Sequence, residues 1–151
     1  HLRVHKKDVN DYCIIVGDPG RVKRSEQYFT KSELVSEHRG FPLLNGEFEG
    51  LKVTVCSTGI GGPSAAIIIE ELIKCGAKVI IRVGSGGLLR KDMKTGDLVI
   101  STGVCKEEFA TRAYVPPEFA AIPHYDVLKS LIESAEESEY AYHYGPTMCT
   151  N

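Results

Sequence analysis

No stretch of this chain approaches the roughly 20 consecutive apolar residues that a membrane-spanning helix needs, and residues 1–11 are polar, unlike the apolar core of a signal peptide. Neither a membrane span nor secretion is therefore expected. A dominant charge is also missing: 18 Lys and Arg stand against 20 Asp and Glu, for a net charge of −2. That balance removes the bulk electrostatic reason to bind nucleic acid or an anionic membrane, so any positive charge that matters must be local. The five cysteines show no CxxC spacing. An odd, scattered set reads as free thiols in a reducing compartment, which makes a cytoplasmic location the expectation. Internal repeats and low-complexity tracts are absent as well. So are GxGxxG opening a helix and the GxxxxGK phosphate loop, which disfavours the two best-known nucleotide readings. No Ser, His, Asp set and no paired carboxylates stand out. His1 and His5 have i, i+4 spacing but neither a nearby glutamate nor a third ligand, so no metal site is expected.

What remains is ordinary globular usage, 42% hydrophobic and 25% charged over 151 residues, enough for one α/β domain with a real core. Tyr12 to Val16 reads as a buried strand, followed by a tight turn and a helix over 21–29. Segments 43–48 and 51–57 flank Glu49 and Gly50 as a hairpin. The clearest helix opens at Pro63, carries Ile68, Leu72 and Ala66, Ile69, Ile73 at helical spacing, allows Glu70 to reach Lys74, and ends at a left-handed Gly76. Strands follow at 79–83 and 97–104, then an irregular loop over 107–123 with Pro116, Pro117 and Pro123. Val127, Leu128, Leu131, Ile132 and Ala135 mark a second amphipathic helix, and 143–149 a last strand. With no closing helix after that strand, the sequence reads as part of a longer protein.

Glycine turns follow three of the apolar runs: Gly17 to Gly20, Gly59 to Gly62, and Gly84 to Gly87. Taken singly, each is as readily a packing turn as a ligand site. Three at strand ends in one short α/β chain point to an anion, because bare glycine lets backbone N–H groups approach closely and ligands of open α/β sheets gather at the carboxyl ends of strands. Arg82 lies inside an apolar run, where a permanent charge is costly unless paired. Its partner is either an internal carboxylate or a bound anion, with Ser85 adding a hydroxyl. Arg21 and Arg39 read equally as solvated residues of a helix and a loop.

Together, GDPGRV (17–22), STGIGGPS (57–64), IIRVGSGG (80–87) and GDLVI (96–100) resemble the nucleoside phosphorylase family of uridine phosphorylases and hexameric purine nucleoside phosphorylases. The order matches along the whole chain. STGIGGPS with the following Glu70, Glu71, Leu72, and TMCT (147–150), look most like uridine phosphorylases, while 78–87 is similar to purine-specific members too. The resemblance implies a three-layer α/β/α fold with a mixed central sheet, incomplete at the carboxyl terminus. It implies reversible phosphorolysis of a nucleoside, uridine first, to free base and ribose 1-phosphate.

By motif position, the resemblance assigns phosphate binding to Gly17, Arg21, Arg39, Arg82 and Ser85, with Arg82 and Ser85 as the catalytic pair. It assigns nucleoside contacts to His1, Gly86 and Gly87. Arg39 and His1 would serve the neighbouring subunit, which implies a homodimer, or a hexamer built from dimers. Inorganic phosphate is the co-substrate, and no cofactor is implied. Gly40 stands where many uridine phosphorylases carry a glutamate for a monovalent cation between subunits, although Ile60 and Ser64 remain. The residues that would grip the base and the ribose hydroxyls fall after Asn151, so little turnover is expected of residues 1–151 alone. A nucleosidase of the same superfamily, which has no need of the arginine set, and a noncatalytic nucleoside-binding protein are the other readings.

Overall fold

The structure is a computed structural model that describes residues 1–149; Thr150, the last residue of the TMCT string, lies outside the described residues, as does Asn151. The chain divides into two units, His1–Ser85 and Gly86–Asn151. The first runs β1 (Tyr12–Val16), α1 (Pro19–Ser25), β2 (Lys31–His38), β3 (Phe41–Phe48), β4 (Leu51–Ser57), α2 (Gly62–Lys74) and β5 (Val79–Val83), with short 3-10 turns at Lys6–Asp8 and Glu26–Tyr28. Its five strands form one mixed sheet in the order β2-β3-β4-β1-β5. β1 is parallel to both β4 and β5, while β2, β3 and β4 form an antiparallel meander.

Alternation along β1 explains why both faces of this sheet are covered. Successive side chains of a strand point to opposite faces. Cys13 and Ile15 pack with Leu2, Leu43, Cys56 and the α2 residues Ile68 and Leu72. Val16 and Ile14 pack instead with Leu44, Val53, Val55 and Val22 of α1. Helix, sheet and helix thus form three layers within this unit. Polar groups inside the sheet are satisfied: the fully buried Thr54 hydroxyl donates to Asn45 Oδ1 at 2.7 Å and accepts the Asn10 N–H at 2.9 Å.

Two hairpins join the meander, and each turns on two residues. His38 pairs with Phe41 across Arg39 and Gly40, which have φ of 56° and 80°; Phe48 pairs with Leu51 across Glu49 and Gly50, with φ of 49° and 81°. Left-handed conformation at both positions matches the right-handed twist of the strands. The helix expected from Pro63 begins one residue earlier, at Gly62, and ends as expected: Gly76 at φ 110° lets the Ala77 N–H reach Leu72 O and the Gly76 N–H reach Ile73 O, both at 3.0 Å. Glu70 and Lys74 pair at 3.4 Å.

Sequence and structure differ in three places here. The helix expected over 21–29 is a two-turn α1 from Pro19 that tightens into a 3-10 turn. β2 occupies a segment with no apolar alternation, because it is the sheet's edge and mostly exposed. Arg82 is not buried: β5 loses cover toward its carboxyl end, where Arg82 and Val83 are exposed.

The second unit holds β6 (Leu98–Lys106), α3 (Tyr125–Glu136) and β7 (Tyr142–Cys149), with β6 and β7 parallel. Asp97, just before β6, accepts from the Lys94 N–H at 2.9 Å and contacts His143 Nε2 on β7 at 2.9 Å. Those two contacts hold its carboxyl below the usual carboxylate range, the Lys94 N–H being the larger cause. The segment read as an irregular loop contains a 3-10 turn, Ala110–Ala113, whose Thr111 hydroxyl and Ala110 N–H both donate to Glu108 at 2.6 Å. No described helix is long and apolar enough to cross a membrane.

Candidate functional site

Parallel pairing places the carboxyl ends of β4, β1 and β5 side by side, with Ser57, Val16 and Val83 in register. The three glycine turns leave from that one edge. Antiparallel β3 begins at the same edge, since Leu43 pairs with Cys56, so the Arg39–Gly40 turn lies there too. The Glu49–Gly50 turn is at the opposite end.

Within the edge, two groups of the expected site residues come together. In the first, Arg21, half-buried on α1, donates from Nη2 to Ser85 Oγ at 3.1 Å. Arg82 lies two residues before Gly84 and folds back over it: a Cβ placed on Gly84 would stand 2.6 Å from Arg82 Nη1. Gly17 adjoins the Gly59 turn, whose carbonyl oxygen would be 3.5 Å from a Gly17 Cβ. None of the ion pairs among the described residues involves Arg21, Arg39 or Arg82. The internal carboxylate partner considered for Arg82 is therefore not found among them. The acid nearest Arg21 in sequence, Asp18, is engaged elsewhere: it caps α1 through the Gly20 N–H at 2.8 Å and pairs with Arg24 at 2.8 Å. The Gly20 N–H first, then Arg24, hold its carboxyl below the usual range.

The second group is His1 and Arg39. His1 Nδ1 lies 2.6 Å from Glu71 of α2, and the Leu2 N–H donates to the same carboxylate at 2.7 Å. The His1 carbonyl oxygen is 2.7 Å from Nδ1 of His38, the residue preceding Arg39. Desolvation of its ring, then the positive charges of Arg3 and Arg39, keep His38 below the usual imidazole range. In the strand order, the Arg39 turn is separated from β1 by two to three strand spacings, about 10–14 Å. Gly86 and Gly87 open the second unit, exposed, with no atom within 4 Å of a Cβ built on either. Ile60 is 95% exposed at the tip of the middle turn, and Ser64 Oγ donates to Thr58 O at 2.6 Å. No three His, Cys, Asp or Glu side chains among the described residues converge as metal ligands.

Sequence reasoning missed the residues that hold these loops. Ser57 and Thr58 are buried at the edge and bond the turns to one another, and Glu71 fastens the amino-terminal segment. Ser57 and Thr58 open the STGIGGPS string but carry no signal of their own, since a small hydroxyl residue next to glycine is common in any turn.

A parallel sheet segment that sends glycine turns, a hydroxyl and guanidinium forks to one edge defines an α/β protein with the groups that suit an anion gathered at the carboxyl ends of its strands. The sequence matches the Phosphorylase superfamily over residues 11–151, and the chain belongs to that superfamily. A guanosine phosphorylase from Halorubrum lacusprofundi is 44% identical, matching 97% of this chain and 61% of its own length. A uridine phosphorylase from Thermococcus kodakarensis is 37% identical over 100% of this chain and 54% of its own length. Among solved structures, the uridine phosphorylase of Vibrio fischeri in complex with 6-hydroxy-1-naphthoic acid superposes with a TM-score of 0.97 at 34% identity, over 100% of this chain and 62% of that one. The purine nucleoside phosphorylase of Toxoplasma gondii in complex with immucillin-H gives 0.95 at 32% identity, over 99% of this chain and 61% of that one. The expected α/β fold with a mixed sheet is thus that of nucleoside phosphorylases, and the chain spans roughly three fifths of the length of these relatives.

Proposed function

We propose that this chain supplies the phosphate-binding part of a nucleoside phosphorylase. One observation carries the reading: Arg21 and Ser85, from different strand ends, meet at 3.1 Å beside Arg82, and no carboxylate among the described residues pairs with either arginine. Permanently charged forks with free donors suit a tetrahedral dianion. In the reaction, a phosphate oxygen forms a bond to C1′ of the ribose as the bond from C1′ to the base nitrogen breaks. The bonding pair leaves with the base, which takes up a proton. Arginine need transfer no proton here; it positions the nucleophile and offsets its charge against an oxocarbenium-like centre. Inorganic phosphate is the only co-substrate this reading requires.

Arg39 and His1 stand together, away from Arg21, and fit service to the site of an adjacent subunit in a homodimer or a hexamer of dimers. Gly86 and Gly87 fit the base side. Uridine is the first choice of nucleoside, since several relatives are named uridine phosphorylase. The 44% identity to a guanosine phosphorylase favours a purine as the second.

The test is an assay of the complete protein carrying this chain, with uridine, thymidine, inosine, guanosine and adenosine at varied phosphate. Base release that saturates with phosphate is expected, and Arg82→Ala should reduce it by about 10²-fold or more while nucleoside binding is largely kept. Base release independent of phosphate would replace this reading with a nucleosidase. Nucleoside binding without turnover would replace it with a binding protein.

A further inference from the structure

We infer that Ser57 is a positioning residue for the phosphate site: its hydroxyl turns the Gly17–Asp18 peptide so that the N–H of that peptide faces the anion. The inference rests on the phosphorylase reading. Ser57 is the last residue of β4, in register with Val16, and is 0% exposed, so it cannot itself touch a ligand. Its Oγ donates to the Gly17 carbonyl oxygen at 3.1 Å and accepts the Gly59 N–H at 3.2 Å. One hydroxyl thus ties two of the three glycine turns together, using its donor and one of its lone pairs.

Peptide planarity gives that bond a direction. In a trans peptide the carbonyl and the following N–H point opposite ways. The Gly17 carbonyl is drawn toward Ser57 on β4, so the Asp18 N–H points away from β4. The preceding peptide obeys the same rule, because the Thr58 N–H donates to Val16 O at 2.7 Å and the Gly17 N–H is therefore also turned from β4. In the order β4-β1-β5, the far side of β1 is the side of β5, whose last two residues are Arg82 and Val83 and which Ser85 follows. A regular strand alternates the sides to which successive N–H groups point. Here two consecutive N–H groups share one side, the arrangement that makes a concave anion cradle. Without the Ser57 hydroxyl the Gly17 carbonyl has no such anchor, and a glycine peptide is free to rotate.

The experiment compares phosphate and nucleoside kinetics of Ser57→Ala with those of Thr54→Ala in the complete protein. Thr54 is a second fully buried hydroxyl on β4 but bonds Asn10 and Asn45 and neither glycine turn. Both variants lower the melting temperature. Ser57→Ala is expected to raise KM for phosphate about tenfold or more with KM for nucleoside nearly unchanged, and Thr54→Ala to leave both KM values in place. Ser57→Thr, which keeps the hydroxyl, should restore most of the phosphate affinity. If the alanine variant does not fold, Ser57→Cys, with similar volume and a weak donor, should show the same rise. A phosphate KM that moves no more in the Ser57 variants than in Thr54→Ala overturns the inference. Wild-type base release that ignores phosphate would instead overturn the phosphorylase reading itself.

Discussion

Two thiols sit at the centre of the sheet. Cys13 on β1 and Cys56 on β4 are 1% and 0% exposed, and burial pushes their thiols from the ordinary value of 9.0 up to about 11 and about 12. Only the neutral form fits a dry core. Both groups favour the fold fully below pH 9, and that contribution falls away as pH rises through 9 toward 11 and 12, because the unfolded chain releases those protons first. A thiol reagent at pH 8 should therefore label neither residue until the protein unfolds, and denaturant midpoints should hold steady to about pH 9 and decline above it. Rapid labelling of either thiol in the native state would contradict this. The apolar run of β1, buried at Cys13, Ile15 and Val16, explains why this segment was readable in sequence: Cys13 reads as a small hydrophobe between apolar neighbours. Arg82 shows the opposite case. Its apolar run promised burial, but β5 is the edge of its sheet among the described strands, and an edge buries its middle before its end.

The hairpins extend this contrast to whole elements. Arg39 and Glu49 occupy the same turn position with the same left-handed backbone, which costs a non-glycine residue about 1–2 kcal/mol. Asparagine tolerates that conformation best among side-chain-bearing residues. Arg39→Asn and Glu49→Asn should each stabilise the fold by up to about 1 kcal/mol in denaturant unfolding. They should part company in kinetics: Arg39→Asn raises KM for phosphate, whereas Glu49→Asn, at the opposite end of the sheet, leaves it unchanged. Equal phosphate KM values in the two variants would remove Arg39 from the site. The Glu49 turn was legible because apolar strands flank it on both sides. The Arg39 turn was not, since β2 exposes Lys31, Glu33, Leu34 and Glu37 and so offers no alternation to read. α2 was legible for the reason that its Ile68 and Leu72 are buried at helical spacing while Glu70 and Lys74 pair outside.

At the scale of the molecule, a net charge of −2 hides the fact that the arginines of interest all leave from one edge of one sheet. Motif order was enough to find the turns, because each follows a strand whose apolar run is plain. The polar clamps between turns were invisible, since Ser57 and Gly17 are 40 positions apart in the chain and only strand pairing joins them. That separation bears on how the protein reaches its native state. The β2, β3 and β4 ladders are zipped by turns of two residues, whereas β1 must find β4 and β5 over stretches such as the 67 positions between Asp11 and Lys78. Short closures cost less chain entropy than long ones, so the meander acquires its contacts early and the parallel pairings late. In pulse-labelled hydrogen exchange during refolding, amides of β3 should be protected before those of β5, and the reverse order would refute this sequence of events. The edge from which the glycine turns leave is then the last part of the first unit to take shape, so a ligand bound there would act as a latch on the final step of folding.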